Sequence, residues 1–278
     1  MSEADSPSDL ALPAYVRAAG RIRARFAAHG ARTRVAEVYE SGGYRLRFPR
    51  VGEACEAVIV NTGGGVAGGD DVEIALDAGA GAHVVATTTA AEKIYRSDGA
   101  TARVKVEIDV AAGATLDWLP QETILFDGAS LVRRLDVSLA ADARVTLLES
   151  VVFGRLAMGE RCGGGLFHDR WRVRRDGRLV FAEEMRFDGR IDSLLDRLAL
   201  GGGARAAATL VHIAPDAEAR LSAFRDTLPD GACEAAASAW DGLLVARFVS
   251  PSPEALRAAI VSSVAALRGA ELPRLWRS

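Results

Sequence analysis

The sequence is poor in the residues that most often carry cross-links or catalysis. Its 278 residues include only three cysteines and four histidines. Cys55, Cys162 and Cys233 are odd in number, far apart and without a C-x-x-C spacing, which argues against a disulfide framework or a thiolate zinc site. The histidines show no H-x-x-H or H-E-x-x-H spacing. Local spacing therefore assembles neither a catalytic zinc site nor a Ser-His-Asp triad.

Long apolar runs and an excess of one charge are also missing. No uninterrupted apolar segment is long enough to span a bilayer. The formal net charge is only −3, without the basic excess that attracts nucleic acid or an anionic membrane. Residues 1–10 are acidic and Ser-rich and lack the basic and apolar regions of a signal peptide. We therefore expect a cytoplasmic protein that binds neither nucleic acid nor a membrane.

Apolar and polar residues alternate in three segments of the chain, as they do in half-buried β-strands. The apolar positions are Val72, Ile74 and Leu76, then Val104, Val106, Ile108 and Val110, then Leu135, Val137 and Leu139. A turn and a second apolar strand follow each segment. The turns lie at Gly81, Gly113 and Asp142, with separations of 32 and 29 residues. This recurrence predicts stacked β layers in which each layer buries the apolar face of its neighbour.

Turn and cap residues mark the elements of the C-terminal half. The pairs Asp176-Gly177 and Asp241-Gly242 each predict a β-hairpin. Two helices are predicted, over residues 216–227 and 253–268. For the second, Ser252 is a suitable N-cap. Pro253 suits its first position and Gly269 suits its end.

The fold class that follows is mainly β, with stacked β-sheet layers (β-solenoid-like) and two α-helices. No segment rich in Pro, Gly or Ser marks a linker between domains. We expect a flexible N-terminal tail over residues 1–15 and a single β-rich domain over residues 16–278.

A glycine-rich segment follows the short apolar strand predicted at residues 56–60. Gly63, Gly65 and Gly68 form G-x-G-x-x-G, one half of a dinucleotide-binding fingerprint. The other half is a helix that opens at the last glycine and holds the pyrophosphate. Here the alternating strand at residues 72–76 follows instead, so a tight glycine corner between two strands is the favoured interpretation. A dinucleotide-binding oxidoreductase is the alternative.

Several carboxylates lie where we place turns and strand ends, namely Asp70, Glu122, Glu149 and Glu160. Side chains at strand ends can point into a shared cavity. Oxygen ligands with few histidines or thiolates beside them make only a weak, transient site for a borderline metal ion.

Five segments together resemble a known family. They are NTGGGVAGGD at residues 61–70, TTTAAEKIYRS at 87–97, WLPQETILFDGA at 118–129, GRLAMGE at 154–160 and LPRLWR at 272–277. In this order and at these intervals they resemble the urease accessory proteins of the D/H family (UreD/UreH). The resemblance extends over about residues 20–278.

The resemblance implies stacked β layers with two helices and no catalytic activity, hence no catalytic residues. It implies a complex with the urease accessory proteins F and G on apo-urease, which helps to insert nickel into the urease active site. Nickel would pass in transit through an internal polar tunnel, with no cofactor bound tightly. Asp70 and Glu122 fall in matched motifs, and with Glu149 and Glu160 they are the predicted nickel contacts. A β-solenoid interaction module without a metal role is the other alternative.

Overall fold

The computed structural model describes residues 17–49 and 54–276, so the predicted N-terminal tail at residues 1–15 lies outside the described residues. The strands are β1 (Ala19–His29), β2 (Arg32–Ser41), β3 (Tyr44–Arg47), β4 (Cys55–Asn61), β5 (Asp71–Ala78), β6 (His83–Thr88), β7 (Glu92–Ile94), β8 (Ala102–Val110), β9 (Thr115–Leu119), β10 (Thr123–Leu125), β11 (Ser130–Leu139), β12 (Arg144–Phe153), β13 (Leu166–Arg175), β14 (Arg178–Asp188), β15 (Ala206–Ile213), β16 (Glu234–Trp240) and β17 (Leu243–Ser250). The helices are α1 (Ile191–Leu195), α2 (Leu221–Arg225) and α3 (Pro253–Arg268), with 3₁₀ turns at Leu156–Met158, Glu218–Arg220 and Arg274–Trp276.

The strands form two sheets that pack face to face. A seven-stranded sheet has the order β14-β13-β11-β8-β5-β1-β2. A ten-stranded sheet has the order β16-β17-β15-β12-β9-β6-β4-β3, and it also contains the short pair β7 and β10, of which β10 pairs with β12. The largest buried apolar cluster takes side chains from both sheets, such as Ile74 and Val84. The main core therefore lies between the sheets.

The three alternating segments occupy successive layers, as the sequence predicts. β5, β8 and β11 pair in parallel in one sheet, with Val72 opposite Val104 and Val106 opposite Leu135. The strands that follow each turn, β6, β9 and β12, pair in parallel in the other sheet. Because the pairing keeps apolar residues in the same phase, each layer extends one continuous buried face. The β-solenoid-like arrangement is confirmed.

Both predicted hairpins are present, between β13 and β14 and between β16 and β17. Asp176 and Gly177 have φ angles of +48° and +77°, and Asp241 and Gly242 have +48° and +75°. Two consecutive positive φ values define the turn whose twist matches that of the flanking strands, which explains the Asp-Gly pairs.

The predicted C-terminal helix is confirmed, whereas the other predicted helix is shorter than expected. α3 covers the outer face of the ten-stranded sheet, and the Ser252 hydroxyl accepts a hydrogen bond from the Ala255 amide at 3.1 Å. Between residues 216 and 227 the chain forms a 3₁₀ turn and then the five-residue α2. Pro229 restricts the residue before it to extended backbone, which limits the length of this helix. The five-residue α1 was not predicted, so the described residues contain three α-helices.

Replacing Ser252 with alanine is expected to lower the free energy of unfolding by about 1 kcal/mol, because the first turn of α3 loses its side-chain acceptor. Urea unfolding followed by circular dichroism measures this change. Ser222→Ala, at an exposed position of α2, is the matched control and is expected to leave the midpoint nearly unchanged. Equal effects of the two variants would contradict the capping role.

Candidate functional site

A row of charged side chains crosses the apolar interior between the two sheets. On three strands an inward-facing charged residue has a buried apolar residue two positions away on each side. These triplets are Leu131-Arg133-Leu135 on β11, Leu147-Glu149-Val151 on β12 and Phe167-Asp169-Trp171 on β13. The row separates two apolar clusters. One cluster contains Leu135, Leu147 and Trp171, and the other contains Leu131, Val151 and Phe167. Charged groups so placed require paired hydrogen-bonding partners.

Arg133 is the centre of this row. Its guanidinium donates two hydrogen bonds to Asp169, at 2.9 and 2.7 Å, and it also donates to Glu149 and to the Thr123 hydroxyl. Trp118 Nε1 donates to Glu149 at 2.9 Å. Two carboxylates and one guanidinium leave a formal charge of −1 within the core. Burial raises the pKa of the Glu149 carboxyl, and the charge of Arg133 opposes this rise.

A second carboxylate, Glu92, lies beside the glycine-rich loop. It is in register with Thr123 on the neighbouring strand. Asn61 Nδ2 donates to Glu92 Oε1 at 3.0 Å, and the Tyr44 hydroxyl donates to Oε2 at 3.4 Å. No lysine or arginine in the described parts of the chain forms an ion pair with Glu92. Burial raises the pKa of Glu92 to about 7, so its charge changes near neutral pH.

At its other end the row reaches solvent between β14, the last strand of the seven-stranded sheet, and β17 of the ten-stranded sheet. Thr209 is in register with Glu149 and donates through its hydroxyl to Glu183 at 2.9 Å. Glu183 pairs with Arg247, whose side chain is 60% exposed. We call the whole row the polar seam. Its members are Tyr44, Asn61, Glu92, Thr123, Arg133, Glu149, Asp169, Thr209 and Glu183.

Two of the four predicted metal contacts have structural partners away from the seam. Asp70 is buried, and its two carboxylate oxygens accept hydrogen bonds from the Ala18 and Ala67 amides, both at 2.8 Å. Glu122 accepts a hydrogen bond from the Arg257 guanidinium of α3 at 3.0 Å. Asp70 therefore closes the glycine corner, and Glu122 joins β10 to α3.

The other two predicted contacts differ from each other. Glu149 belongs to the seam and lies in the middle of β12, not at a strand end as we had placed it. Glu160 forms a two-pronged pair with Arg155 at 2.7 and 2.8 Å, which lowers the pKa of its carboxyl. The structure does not bring the four carboxylates together. Within the described residues, no three His, Cys, Asp or Glu side chains lie close enough to hold one metal ion.

The glycine-rich loop is a corner between two strands. It connects β4 to β5, so the chain enters a strand after the last glycine and opens no helix there. Val66 in the middle of the loop bridges to β7, accepting from the Tyr95 amide at 2.9 Å and donating to the Lys93 carbonyl at 2.8 Å. The dinucleotide interpretation thus lacks the helix N-terminus that its pyrophosphate site requires.

Arg133, Asp169 and Glu92 were missed by the sequence reasoning. A signal exists for the first two, because each occupies the apolar phase of its strand. Arg133 is in phase with Leu135 and Val137, and Asp169 is in phase with Trp171. A charged residue in the apolar phase indicates a buried ion pair. Glu92 lies in a three-residue strand, which is too short to show a phase.

Replacing Glu92 with glutamine is expected to remove part of the pH dependence of stability. The folded protein holds the proton up to a pH of about 7, against 4.5 for the unperturbed group. Stability from the protonated form is therefore complete below pH 4.5 and is lost as the pH rises through about 7.

At pH 8 the glutamine variant is expected to be more stable than the native chain by about 1–3 kcal/mol, and at pH 5 the difference should be much smaller. Urea unfolding at both pH values measures it. A difference that does not change with pH would show that Glu92 titrates normally.

Comparison with known proteins gives a consistent result. Residues 18–277 match the family described as UreD urease accessory protein. The chain is similar to the urease accessory protein UreD of Xanthobacter autotrophicus, with 51% identity over 94% of this chain and 90% of the relative. It is 50% identical to that of Azorhizobium caulinodans over 95% of this chain and 98% of the relative. No helix among the described residues is long and apolar enough to cross a membrane.

Proposed function

This chain belongs to the UreD family of urease accessory proteins and so has a role in urease maturation, and we propose that it serves there as a non-catalytic scaffold and nickel conduit. In this proposal it binds apo-urease together with the accessory proteins F and G in the cytoplasm. Nickel is the cargo of the complex and is not a resident cofactor. The chain helps to insert the ion into the urease active site.

The polar seam is the observation that supports the conduit. It extends from the glycine-rich loop, through an otherwise apolar interior, to the surface where Glu183 of β14 meets Arg247 of β17. A divalent ion that crosses a protein must exchange part of its hydration shell for protein oxygens. The seam supplies oxygens from carboxylates and hydroxyls, which bind a borderline metal ion weakly enough for release.

Charge along the seam favours entry without trapping. Glu149 and Asp169 attract a cation, while Arg133 between them keeps the formal charge at −1. Glu92 adds a carboxylate that ionises near neutral pH. Both Glu92 and Glu149 can therefore take up or release a proton as the ion arrives or leaves. We assign them as the transient nickel ligands within the seam.

Asp70, Glu122 and Glu160 remain part of the proposal in a different way. Each is held by two backbone amides or by an arginine, as Glu149 is held by Arg133, but the partners of these three lie away from the seam. Such contacts suit the approach to the conduit better than its interior. Among the four predicted nickel contacts, Glu149 is the one that we place inside the conduit.

Glu149→Gln tests the conduit. Arg133 and Asp169 remain as a neutral buried pair in this variant, so the fold is expected to survive. Assembly with apo-urease and the proteins F and G should persist, while nickel bound per urease active site should fall severalfold. Metal analysis of the purified urease measures the loading, and co-purification measures assembly. Glu234→Gln, on the exposed face of β16, is the matched control.

The outcomes separate the possible roles. Full nickel loading with an intact complex would exclude Glu149 from the conduit. Loss of the complex would place Glu149 in the scaffold. If every seam variant assembles and supports full nickel loading of urease, the chain is an interaction module without a metal role.

A further inference from the structure

Side chains from three of the five motifs stack against one another at one end of the layers, and the first of them also contacts the backbone of a fourth motif, the glycine-rich loop. The Tyr95 hydroxyl donates to the Gly64 carbonyl at 2.9 Å. The ring of Tyr95 meets that of Phe126 edge to face, with centroids 5.2 Å apart. The Arg155 guanidinium lies 4.3 Å from the centroid of Phe126. This stack contributes nothing to the polar seam, so the conduit does not account for these motif residues.

The GRLAMGE segment ends the stack in a closed loop. Gly154 has a φ of +93°, and a Cβ there would lie 2.6 Å from the Glu160 carbonyl oxygen. The ion pair between Arg155 and Glu160 closes the loop, and Gly159, with a φ of +71°, ends its 3₁₀ turn. Met158 is 77% exposed on this fixed loop. An apolar side chain is thus held in solvent by a loop that the fold constrains on both sides.

A second loop, residues 189–205 between β14 and β15, lies beside the first. The Asp192 amide donates to the Cys162 carbonyl at 2.9 Å, and Arg161 pairs with Asp196 at 3.1 Å. This second loop exposes Leu198 by 94% and Leu200 by 56%. We call the surface made by the stack and the two loops the docking face. Its members are Tyr95, Phe126, Arg155, Met158, Leu198 and Leu200.

The charge around the docking face is positive. The acidic residues Glu160 and Asp196 are neutralised by arginines of the same two loops, and Asp192, whose carboxylate accepts from the Ser193 amide, is the remaining acid of these loops. Arg190 and Arg197 are exposed, and neither forms an ion pair within the described ranges. Free arginines beside exposed leucine and methionine are a composition that protein interfaces favour, since arginine and methionine are enriched at interfaces. The most exposed member, Leu198, projects outward, so the complementary surface must be concave.

We propose that the docking face binds a protein partner through an apolar groove bordered by carboxylates. Leu198, Leu200 and Met158 enter the groove, and Arg190 and Arg197 meet its acidic rim. The inference rests on the proposed function, because the partner is taken to be a component of the maturation complex. Charge at the rim speeds association and makes binding sensitive to salt.

The test measures binding of the full chain to purified apo-urease and to the purified F and G proteins, one at a time. The triple variant Met158→Ser, Leu198→Ser, Leu200→Ser should bind one of them about tenfold or more weakly. The double variant Arg190→Glu, Arg197→Glu should weaken binding to the same component and reduce its salt dependence. Tyr39→Ser and Leu179→Ser, exposed apolar residues elsewhere, are the controls and should bind normally.

Three results would overturn the proposal. The first is unchanged affinity of both variants for all three proteins. The second is unchanged affinity with loss of binding to phosphatidylserine vesicles, which would assign the face to a membrane. The third is unchanged affinity with altered self-association, which would assign it to a second copy. Urease activation by the unmodified chain tests the proposed function separately. If activation fails while the variants lose affinity as expected, the docking face is supported and the proposed function is contradicted.

Discussion

Replacing Arg133 with methionine is expected to lower the free energy of unfolding by about 3–5 kcal/mol. The change removes the only guanidinium that contacts Glu149 and Asp169 within the described residues. Two carboxylates are then left buried side by side without a counter-charge, and Asp169 has lost two hydrogen bonds and Glu149 one. Methionine has a similar length and fills the space of the arginine stem, so the loss reports charge and hydrogen bonding rather than a cavity.

Urea unfolding measures this loss, with Arg134→Met as the matched control. Arg134 is the next residue of β11 but faces solvent and forms no ion pair in the described structure, so its replacement should change stability by less than about 0.5 kcal/mol. Adding Glu149→Leu and Asp169→Leu to Arg133→Met should recover part of the stability, because an apolar set replaces the charged one, while the indole N–H groups of Trp118 and Trp171 lose their acceptors. Similar losses for Arg133→Met and Arg134→Met would show that the seam is not a buried ionic network.

The layers could be predicted because period and phase are local properties of the sequence. Val72, Val104 and Leu135 are each part of an alternating strand, and the turns between the strands recur at a nearly constant interval. Parallel pairing in register then follows from the burial of one common face. The Asp-Gly hairpins and α3 were predictable for a similar reason, since turn and cap chemistry is set by a few adjacent residues.

Glu149 shows why its strand was harder to predict. β12 is buried on both faces, with the seven-stranded sheet on one side and α3 on the other. A strand buried on both faces does not alternate, so its length cannot be inferred from period two. We therefore placed Glu149 at a strand end, whereas it lies near the centre of the strand and of the core.

The partners of the other carboxylates were not predictable, because they are distant in the chain. Glu122 meets Arg257 across 135 residues, and Asp70 meets the Ala18 amide across 52 residues. Such pairs depend on how the sheets and α3 are assembled, which no local pattern encodes. A carboxylate near a predicted turn can equally be a cap, an ion-pair partner or a metal ligand until the fold is known.

Replacing Asp70 with alanine is expected to lower the free energy of unfolding by about 1–3 kcal/mol, although the residue lies at a turn. The Asp70 side chain is buried, and its two oxygens satisfy the Ala18 and Ala67 amides through part-buried hydrogen bonds; an unsatisfied buried donor costs about 1–3 kcal/mol, and a half-exposed one costs less. Asp70→Asn should cost less, because one oxygen still accepts a hydrogen bond while the new NH₂ group faces the other amide. Asp71→Ala, at the exposed neighbouring position, should change stability little.

These variants also separate a structural role of Asp70 from a role in nickel transfer. If Asp70 only closes the corner, nickel loading of urease should fall in proportion to the unfolded fraction and should recover at a temperature where Asp70→Ala is fully folded. A role in transfer predicts low loading at that temperature as well, with Asp70→Asn as poor as Asp70→Ala, because an amide carries no charge for the ion. Urea unfolding and metal analysis of urease on the same samples distinguish the two. A stable Asp70→Ala chain with full loading would contradict both roles, since it would show that neither the amides nor the ion needs the carboxylate.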